Sequence, residues 1–261
     1  MVKSKVLLKS IVSYMAVLMI PTVLLGLMVF IDFSGKLKEE VIHSTTSMLI
    51  QASETIDGRF SDLSKISYQI SSNRNLQPFL SPIGSNDITN YPSVSKGILE
   101  LEDYKMSNGM IENIYLVLRN RDIVLSDKGK YNYNIFENYI CVWQTQKSFT
   151  DAINTTTSLT VLPSQPAYLN GNLANLIPYI QPLPVSAHSQ YAATLLVVIK
   201  ESAVRQIIHE VLGEYSGYVY ILDSKNDRIF TSGLNNKQDY SEEAMNAVTE
   251  FMTSLDHHPG G

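Results

Sequence analysis

Six aromatic side chains between residues 131 and 168 are the strongest candidates for contact with a small molecule. They are Tyr131, Tyr133, Phe136, Tyr139, Trp143 and Tyr168. Aromatic side chains with a polar group suit concave ligand pockets. Arg119 and Arg121 precede this segment and are placed to meet an anion. The simpler alternative is an aromatic protein core, with the two arginines in a solvated turn. The sequence alone leaves both interpretations open.

Metal and cofactor chemistry has little support in the sequence. The five histidines show no metal-ligand spacing with each other or with the single cysteine; they are His43, His188, His209, His257 and His258. The segment HEVLG at 209–213 lacks the second histidine of a zinc protease motif. We therefore predict no metal and no cofactor.

Catalysis is equally weakly supported. The segment YSG at 215–217 does not fit the G-x-S-x-G pattern, because Gly213 is one residue too far away. The sequence contains neither of the two glycine-rich phosphate-binding patterns. The adjacent glutamates at 39–40 and 242–243 fall on predicted exposed helix turns, where solvation explains them. We predict that the chain is not an enzyme.

Composition limits the remaining classes of protein. The 261 residues carry a net charge of −5. Three lysines lie within the first ten residues, so the rest of the chain is more negative than this value. An acidic chain without a basic stripe is a poor nucleic-acid binder, so we predict no contact with nucleic acid. Cys141 is the only cysteine, which excludes a disulfide-stapled scaffold.

Residues 11–31 form an uncharged apolar run of 21 positions. About 20 apolar residues span a bilayer, so the run predicts a transmembrane helix. A cleaved signal peptide is the alternative, although it would have a shorter apolar region and a small-residue cleavage site. Lys3, Lys5 and Lys9 precede the run, so the positive-inside rule places residues 1–10 in the cytoplasm and residues 32–261 outside the cell.

A long amphipathic helix is predicted over residues 34–80. Apolar residues recur at intervals of seven from 42 to 70, namely Ile42, Leu49, Ile56, Leu63 and Ile70. This spacing predicts one apolar seam. A signalling stalk, with a homodimer formed through this helix, and a long surface helix covering a sheet both satisfy the pattern. Pro78 and Pro82 are expected to end the helix.

Two hairpins and two further strands predict an antiparallel sheet. The hairpins are IYLVLRNRDIVLS at 114–126 and VYILDSKNDRIFTS at 219–232. Residues 192–200 are nearly all apolar and are expected at the centre of the sheet. Residues 176–185 carry three prolines and are expected nearer an edge.

The predicted short helices complete the sequence pattern. They cover residues 97–106 and 134–145, with irregular chain after the second. A helix capped by Ser202 ends at Gly213, and a last amphipathic helix begins at Ser241. Residues 81–97 are predicted to be a loop.

This order of elements resembles the extracellular double-Cache sensor region of bacterial membrane receptors, which consists of PAS-like α+β modules. The segments KSIVSYMAVLMIPTVLLGLMVF, IDGRFSDLSKISYQISSNRNLQPFL and LLVVIKESAVRQIIHEVLGEYSGYVYILDSKNDRIFTSG look like membrane-anchored AraC-type transcription regulators. The resemblance implies a membrane-distal Cache-like module at 97–200. It also implies a linker helix with an incomplete second module at 201–261.

The resemblance implies the function of a sensor. In such regulators a second membrane helix and a DNA-binding helix-turn-helix domain follow, and we expect this chain to be cut short before them. The expected function is extracellular sensing of an unknown small ligand, with Arg119, Tyr131, Tyr133, Trp143 and Tyr168 as ligand-binding candidates. The alternatives are the sensor part of a histidine kinase and a stand-alone surface binding module.

Overall fold

The computed structural model describes residues 2–80, 91–119, 121–144, 146–185, 191–213, 215, 217–222 and 228–234. The chain divides into two units, residues 1–51 and residues 52–261. The predicted last helix from Ser241 and most of the predicted loop at 81–97 lie outside the described residues.

The first unit consists of helix. Helix α1 (Val2–Ser72) contains the apolar run and continues into the second unit. One stretch of it is long and apolar enough to cross a membrane. Every large apolar side chain described between Tyr14 and Phe33 is more than half exposed. Such a surface is unfavourable in water and matches the interior of a bilayer.

Helix α1 corrects the predicted helix boundaries. The apolar run and the amphipathic segment are one helix, which ends at Ser72 rather than near residue 80. The chain turns at Asn73, whose side-chain oxygen accepts a hydrogen bond from the Asn75 backbone N–H. Pro78 lies inside a separate short helix, α2 (Gln77–Leu80).

The second unit is built on an antiparallel sheet of eight strands. In chain order they are β1 (Ile111–Leu118), β2 (Ile123–Ser126), β3 (Gly129–Tyr131), β4 (Cys141–Trp143), β5 (Thr160–Val161), β6 (Gln165–Leu169), β7 (Asn172–Leu183) and β8 (Ala193–Lys200). Their spatial order is β3-β2-β1-β8-β7-β6-β4, and β5 pairs with β7. The α+β prediction is confirmed, as are the first hairpin and the central position of β8.

The sheet buries both of its faces. Helix α1 and helix α3 (Tyr91–Met106) cover one face, where the Ser64 hydroxyl lies 3.3 Å from the Tyr179 hydroxyl. Helix α3 begins six residues before the predicted residue 97. The other face carries an aromatic core, defined here by Tyr115, Phe136, Trp143 and Phe149.

Short elements cover the aromatic core. They are α4 (Tyr133–Ile135), a π-helical turn (Phe136–Ile140), β4 and α5 (Gln146–Thr155). The helix predicted over 134–145 is therefore wrong beyond residue 140, because β4 pairs with β6 from Cys141 onwards. The chain that follows is not irregular, since it forms α5, β5 and β6.

The edge position predicted for residues 176–185 is wrong, because β7 has neighbours on both sides. The prolines are tolerated because β5 and β6 together pair with only part of one edge of β7. Strand β6 pairs only with residues 172–176, and β5 only with Tyr179 and Ile180. Pro178 and Pro182 fall outside these paired stretches, where no ladder hydrogen bond needs a proline N–H.

A helix and a hairpin follow the sheet. Helix α6 (Glu201–Leu212) has Lys200 as its N-cap rather than the predicted Ser202, and Gly213 is its C-cap as predicted. Strands β9 (Gly217–Leu222) and β10 (Arg228–Leu234) form a separate two-stranded sheet. This confirms the second predicted hairpin.

Helix α3 makes a close approach at Gly97. A Cβ atom there would lie 2.8 Å from Leu125 Cδ2 and 3.0 Å from Phe79 Cε2. Gly58 on α1 is the matched control, because a Cβ atom there meets nothing within 4 Å.

We expect Gly97→Ala to lower the free energy of unfolding by about 1–3 kcal/mol, since the buried neighbours must shift. Gly58→Ala should raise it by about 0.5–1 kcal/mol through helix propensity. Urea unfolding of the detergent-solubilised chain measures both. Equal stabilisation by the two alanines would contradict the close packing of α3.

Candidate functional site

Trp143 and two of the predicted tyrosines converge on the aromatic core. Trp143 is buried on β4, and its ring centroid lies 4.7 Å from that of Phe149 on α5. Tyr131 and Tyr133 pack against the same core and are partly buried. These three side chains therefore share one face of the sheet.

Tyr168 lies apart from this group. It pairs with Val142 in the β4–β6 ladder, while Trp143 pairs with Ala167. Because neighbouring residues of a strand point to opposite faces, Tyr168 faces away from Trp143. Its side chain is about half exposed.

Arg119 holds the C-terminal end of α5. Its Nη2 donates to the carbonyl of Thr156 at 2.6 Å, and its Nε donates to the Thr194 hydroxyl at 2.8 Å. Thr194 in turn donates to the Ile153 carbonyl at 2.7 Å. The last carbonyls of a helix have no partner within the helix, so these bonds satisfy them.

The environment of Arg119 is partly desolvated. Burial lowers the pKa of its guanidinium, and the neighbouring Tyr191 partly offsets this effect. The guanidinium carbon lies 5.3 Å from the centre of the Tyr191 ring. In this arrangement Arg119 already binds α5, which differs from the predicted role of meeting an anion.

Several buried polar atoms lie in the aromatic core. The Tyr115 hydroxyl lies beside the Asn113 side chain and the Trp143 Nε1 beside the thiol of Cys141, but neither atom makes a well-formed hydrogen bond among the described residues. Burial raises the pKa of the Tyr115 hydroxyl. Near Trp143 lies the thiol of Cys141, a weak acceptor whose pKa burial raises to about 12.

A groove opens beside this core. It has a volume of about 390 Å³ and lies along β7 at the start of α6. Leu169 and Leu176 line it and also belong to the buried cluster that contains the aromatic core, while Ala174 on β7 is an exposed part of the lining. The groove thus joins an apolar floor to a polar rim.

The rim of the groove carries charges of both signs. Glu112 pairs with Lys200, and Glu201 pairs with Arg205 at 2.7 Å. Lys128 adds a further cation, and the side chains of Asn170, Asn172 and Asn175 add amides. Such a lining can accommodate a small molecule that carries both an ammonium and a carboxylate group.

Sequence reasoning missed this groove. The adjacent Lys200 and Glu201, directly after the apolar run of β8, were the available signal. Glu112 gave no signal, because it reaches the rim through a bulge in β1 between Ile111 and Asn113. A bulge of this kind has no pattern in a single sequence.

Comparison with known proteins identifies the fold. No protein family and no curated protein matches the sequence. The structure is similar to the sensory domain of the Campylobacter jejuni chemoreceptor Tlp3 with isoleucine bound, at a TM-score of 0.52 and 15% identity, covering 83% of this chain and 81% of that one. The ligand-binding domain of Tlp3 in complex with L-valine gives 0.52 and 15%, covering 83% and 82%.

A third neighbour is the extracellular domain of a protein named as histidine kinase vpHK1S-Z8. It has a TM-score of 0.49 and 8% identity, and the match covers 85% of this chain and 80% of that one. The two Tlp3 structures show that this chain has the fold of chemoreceptor sensory domains.

The role of Arg119 can be tested through α5. We expect Arg119→Met to lower the free energy of unfolding by about 1–3 kcal/mol, because the partly buried Thr156 carbonyl and the Thr194 hydroxyl lose their donor. Trp143 is the only tryptophan and contacts Phe149 on α5, so its fluorescence reports the unfolding of this region.

The control is Arg74→Met, which changes an exposed arginine on the turn after α1. It should leave stability within about 0.5 kcal/mol of the starting protein. An Arg119→Met variant as stable as this control would show that the α5 contacts contribute nothing and would favour a ligand-binding role for Arg119.

Proposed function

We propose that this chain is the extracellular sensory part of a membrane-anchored signalling protein, and that it binds a small amphiphilic molecule such as an aliphatic amino acid. The observation that carries this proposal is the groove, which joins the apolar floor at Leu169 and Leu176 to a rim with both signs of charge. An aliphatic amino acid presents the complementary groups. The bound isoleucine and L-valine of the Tlp3 domains support this choice of ligand class.

The predicted aromatic residues contribute from below the groove. The Tyr115 hydroxyl and Trp143 Nε1, beside Asn113 and Cys141, are the buried polar groups to which a polar ligand would offer a better hydrogen-bond partner. Tyr131 and Tyr133 border the same core and remain candidate contacts of the ligand. Arg119 and Tyr168 do not line the groove, and their predicted part in binding remains a proposal.

The ligand test uses the detergent-solubilised full chain and calorimetric titration with L-isoleucine and L-valine. We expect saturable binding that also changes Trp143 fluorescence. Ala174→Phe places a ring in the groove and should abolish binding. Leu173→Phe is the matched control, because Leu173 is exposed on the opposite face of β7 and its replacement should leave binding unchanged.

Binding that survives Ala174→Phe would place the ligand elsewhere. If neither amino acid binds to the unmodified chain, the proposed ligand class is wrong.

The proposed membrane anchor and orientation rest on the apolar stretch of α1 and on the lysines that precede it. The exposed apolar stretch of α1 spans the membrane, the N-terminus is cytoplasmic and residues 32–261 are outside the cell. The lysines at positions 3, 5 and 9 support this orientation through the positive-inside rule.

A homodimer through α1 completes the proposal. Ile56, Leu63 and Ile70 of the apolar seam are buried within the second unit. Ile42 and Leu49 continue the same seven-residue spacing, but are 56% and 44% exposed. Outside the membrane these side chains lie in water, and a second copy of α1 covers them at the spacing of a coiled coil.

The variant Leu49→Cys tests the dimer and the orientation together. We expect mild oxidation of membranes to link two chains at this position, and a membrane-impermeant maleimide to label it in intact cells. Ser47→Cys is the control, because Ser47 lies on the other side of the helix and should be labelled without cross-linking. Equal cross-linking at both positions would contradict a dimer contact through the apolar seam. Absence of labelling at both positions would contradict the proposed orientation.

The proposed output is an AraC-type transcription regulator. The likeness of the segments at 9–30, 56–80 and 195–233 to such regulators supports this assignment. The sensor part of a histidine kinase and a stand-alone binding module are the alternatives. The DNA downstream of codon 261 decides among them: an open frame with a membrane helix and a helix-turn-helix domain supports the regulator, a kinase frame contradicts it, and a terminator favours the stand-alone module.

A further inference from the structure

We propose that Glu201 and Arg205 form a clamp that couples occupancy of the groove to the β9–β10 hairpin. The inference rests on the proposed function, in which the groove holds the ligand. It identifies Glu201 and Arg205 as positioning residues for the transmission of the signal.

Glu201 connects the groove to the main sheet. It is the first residue of α6, lines the groove and is nearly buried. Its Oε2 accepts a hydrogen bond from the Ser164 hydroxyl, and its Oε1 accepts one from Arg205 Nη2 at 2.7 Å. A partly buried carboxylate held by two donors is well fixed in position.

Arg205 connects the groove to the hairpin. It lies one turn after Glu201 and also lines the groove. Its Nη1 donates to the Ser232 hydroxyl at 3.0 Å, and its guanidinium carbon lies 5.6 Å from the centre of the Phe230 ring. Ser232 and Phe230 are both buried on β10. One guanidinium therefore contacts the groove wall and the buried side of the hairpin.

Ser164 links the start of α6 directly to β10. While its hydroxyl donates to Glu201, its backbone N–H donates to the Ile229 carbonyl on β10 at 2.8 Å. The segment between β5 and β6, the start of α6 and strand β10 are thus joined in a ring of contacts. Movement of any one of these three elements strains its contacts with the other two.

The hairpin is small and therefore depends on these contacts. Strands β9 and β10 form a sheet of their own with no third strand among the described residues. An isolated two-stranded hairpin is marginally stable in water. The contacts of Arg205 and Ser164 therefore supply part of the stability of the hairpin.

A charged occupant of the groove would act on the contacts made by Glu201 and Arg205. An anionic group beside Arg205 competes with Glu201 and Ser232 for the guanidinium donors. Breaking one contact of a partly buried charge pair is costly, so the occupied state favours a different arrangement of the hairpin. The occupant shifts the hairpin only as far as it binds the two arrangements unequally.

The test uses a tethered occupant, so it needs no knowledge of the ligand. Ala174→Cys introduces a thiol into the groove, which methanethiosulfonate ethylsulfonate converts into a tethered anion. Cys141 does not interfere, because it is buried and its pKa is raised to about 12. Hydrogen–deuterium exchange of residues 217–234 in the full chain is the readout.

We expect the tethered sulfonate to speed exchange of the hairpin by about threefold or more, because a partner of Arg205 has been replaced. The same modification on an Arg205→Met background should cause no further change. Leu173→Cys carries the matched control, since its tethered sulfonate lies on the other face of β7 and should leave the hairpin unchanged.

Measurements without any occupant test the clamp itself. Arg205→Met and Glu201→Gln should each speed hairpin exchange, and the double variant should do so no more than either change alone. Gln206→Met, on the exposed side of α6, should have no effect.

Two results overturn the proposal. One is hairpin exchange that ignores the tethered sulfonate. The other is a sulfonate effect that persists when Arg205 is methionine. Failure of L-isoleucine and L-valine to bind would instead overturn only the proposed ligand class, because the tethered group occupies the groove in either case.

Discussion

The two-sided burial of β8 is the constraint on which the rest of the second unit depends. Every residue from Ala193 to Ile199 is buried, so both faces of the sheet need a covering layer. Helices α1 and α3 supply one layer with long apolar surfaces. The other layer is made of α4, a π-helical turn, β4 and α5, which are short and need local anchors such as Arg119. The less continuous layer is the one that borders the groove, which is where the proposed ligand would bind.

The parts of the fold that could be predicted are those with a strong local pattern. The uninterrupted apolar run of β8 and the two hairpins are examples, because period and turn residues determine them within about ten positions. The boundary at Cys141 could not be predicted, since β4 exists only through pairing with β6, more than twenty residues later. The same holds for the prolines of β7, which are tolerated because of where two distant strands end.

The candidate site divides in the same way. Tyr131, Tyr133 and Trp143 were predicted from residue type, and they share one face because strand alternation and the π-helical turn bring them there. Glu112 and Arg205 were not found, because a bulge and a helical turn bring them to the groove from positions that look solvated. For Arg119, a cation in a turn suggested an anion site, and the structure adds a second role, because its guanidinium donates to carbonyls at the end of α5.

The weakly bonded polar atoms of the aromatic core and the contacts between Arg205 and the hairpin can be considered together. A buried hydroxyl or indole N–H without a partner costs about 1–3 kcal/mol relative to a satisfied one. Under the proposed function, an occupant of the neighbouring groove would recover part of that cost by offering these groups a better partner. The occupant would shift the hairpin only by the difference between what it recovers in the two arrangements, which is the thermodynamic requirement for a sensor.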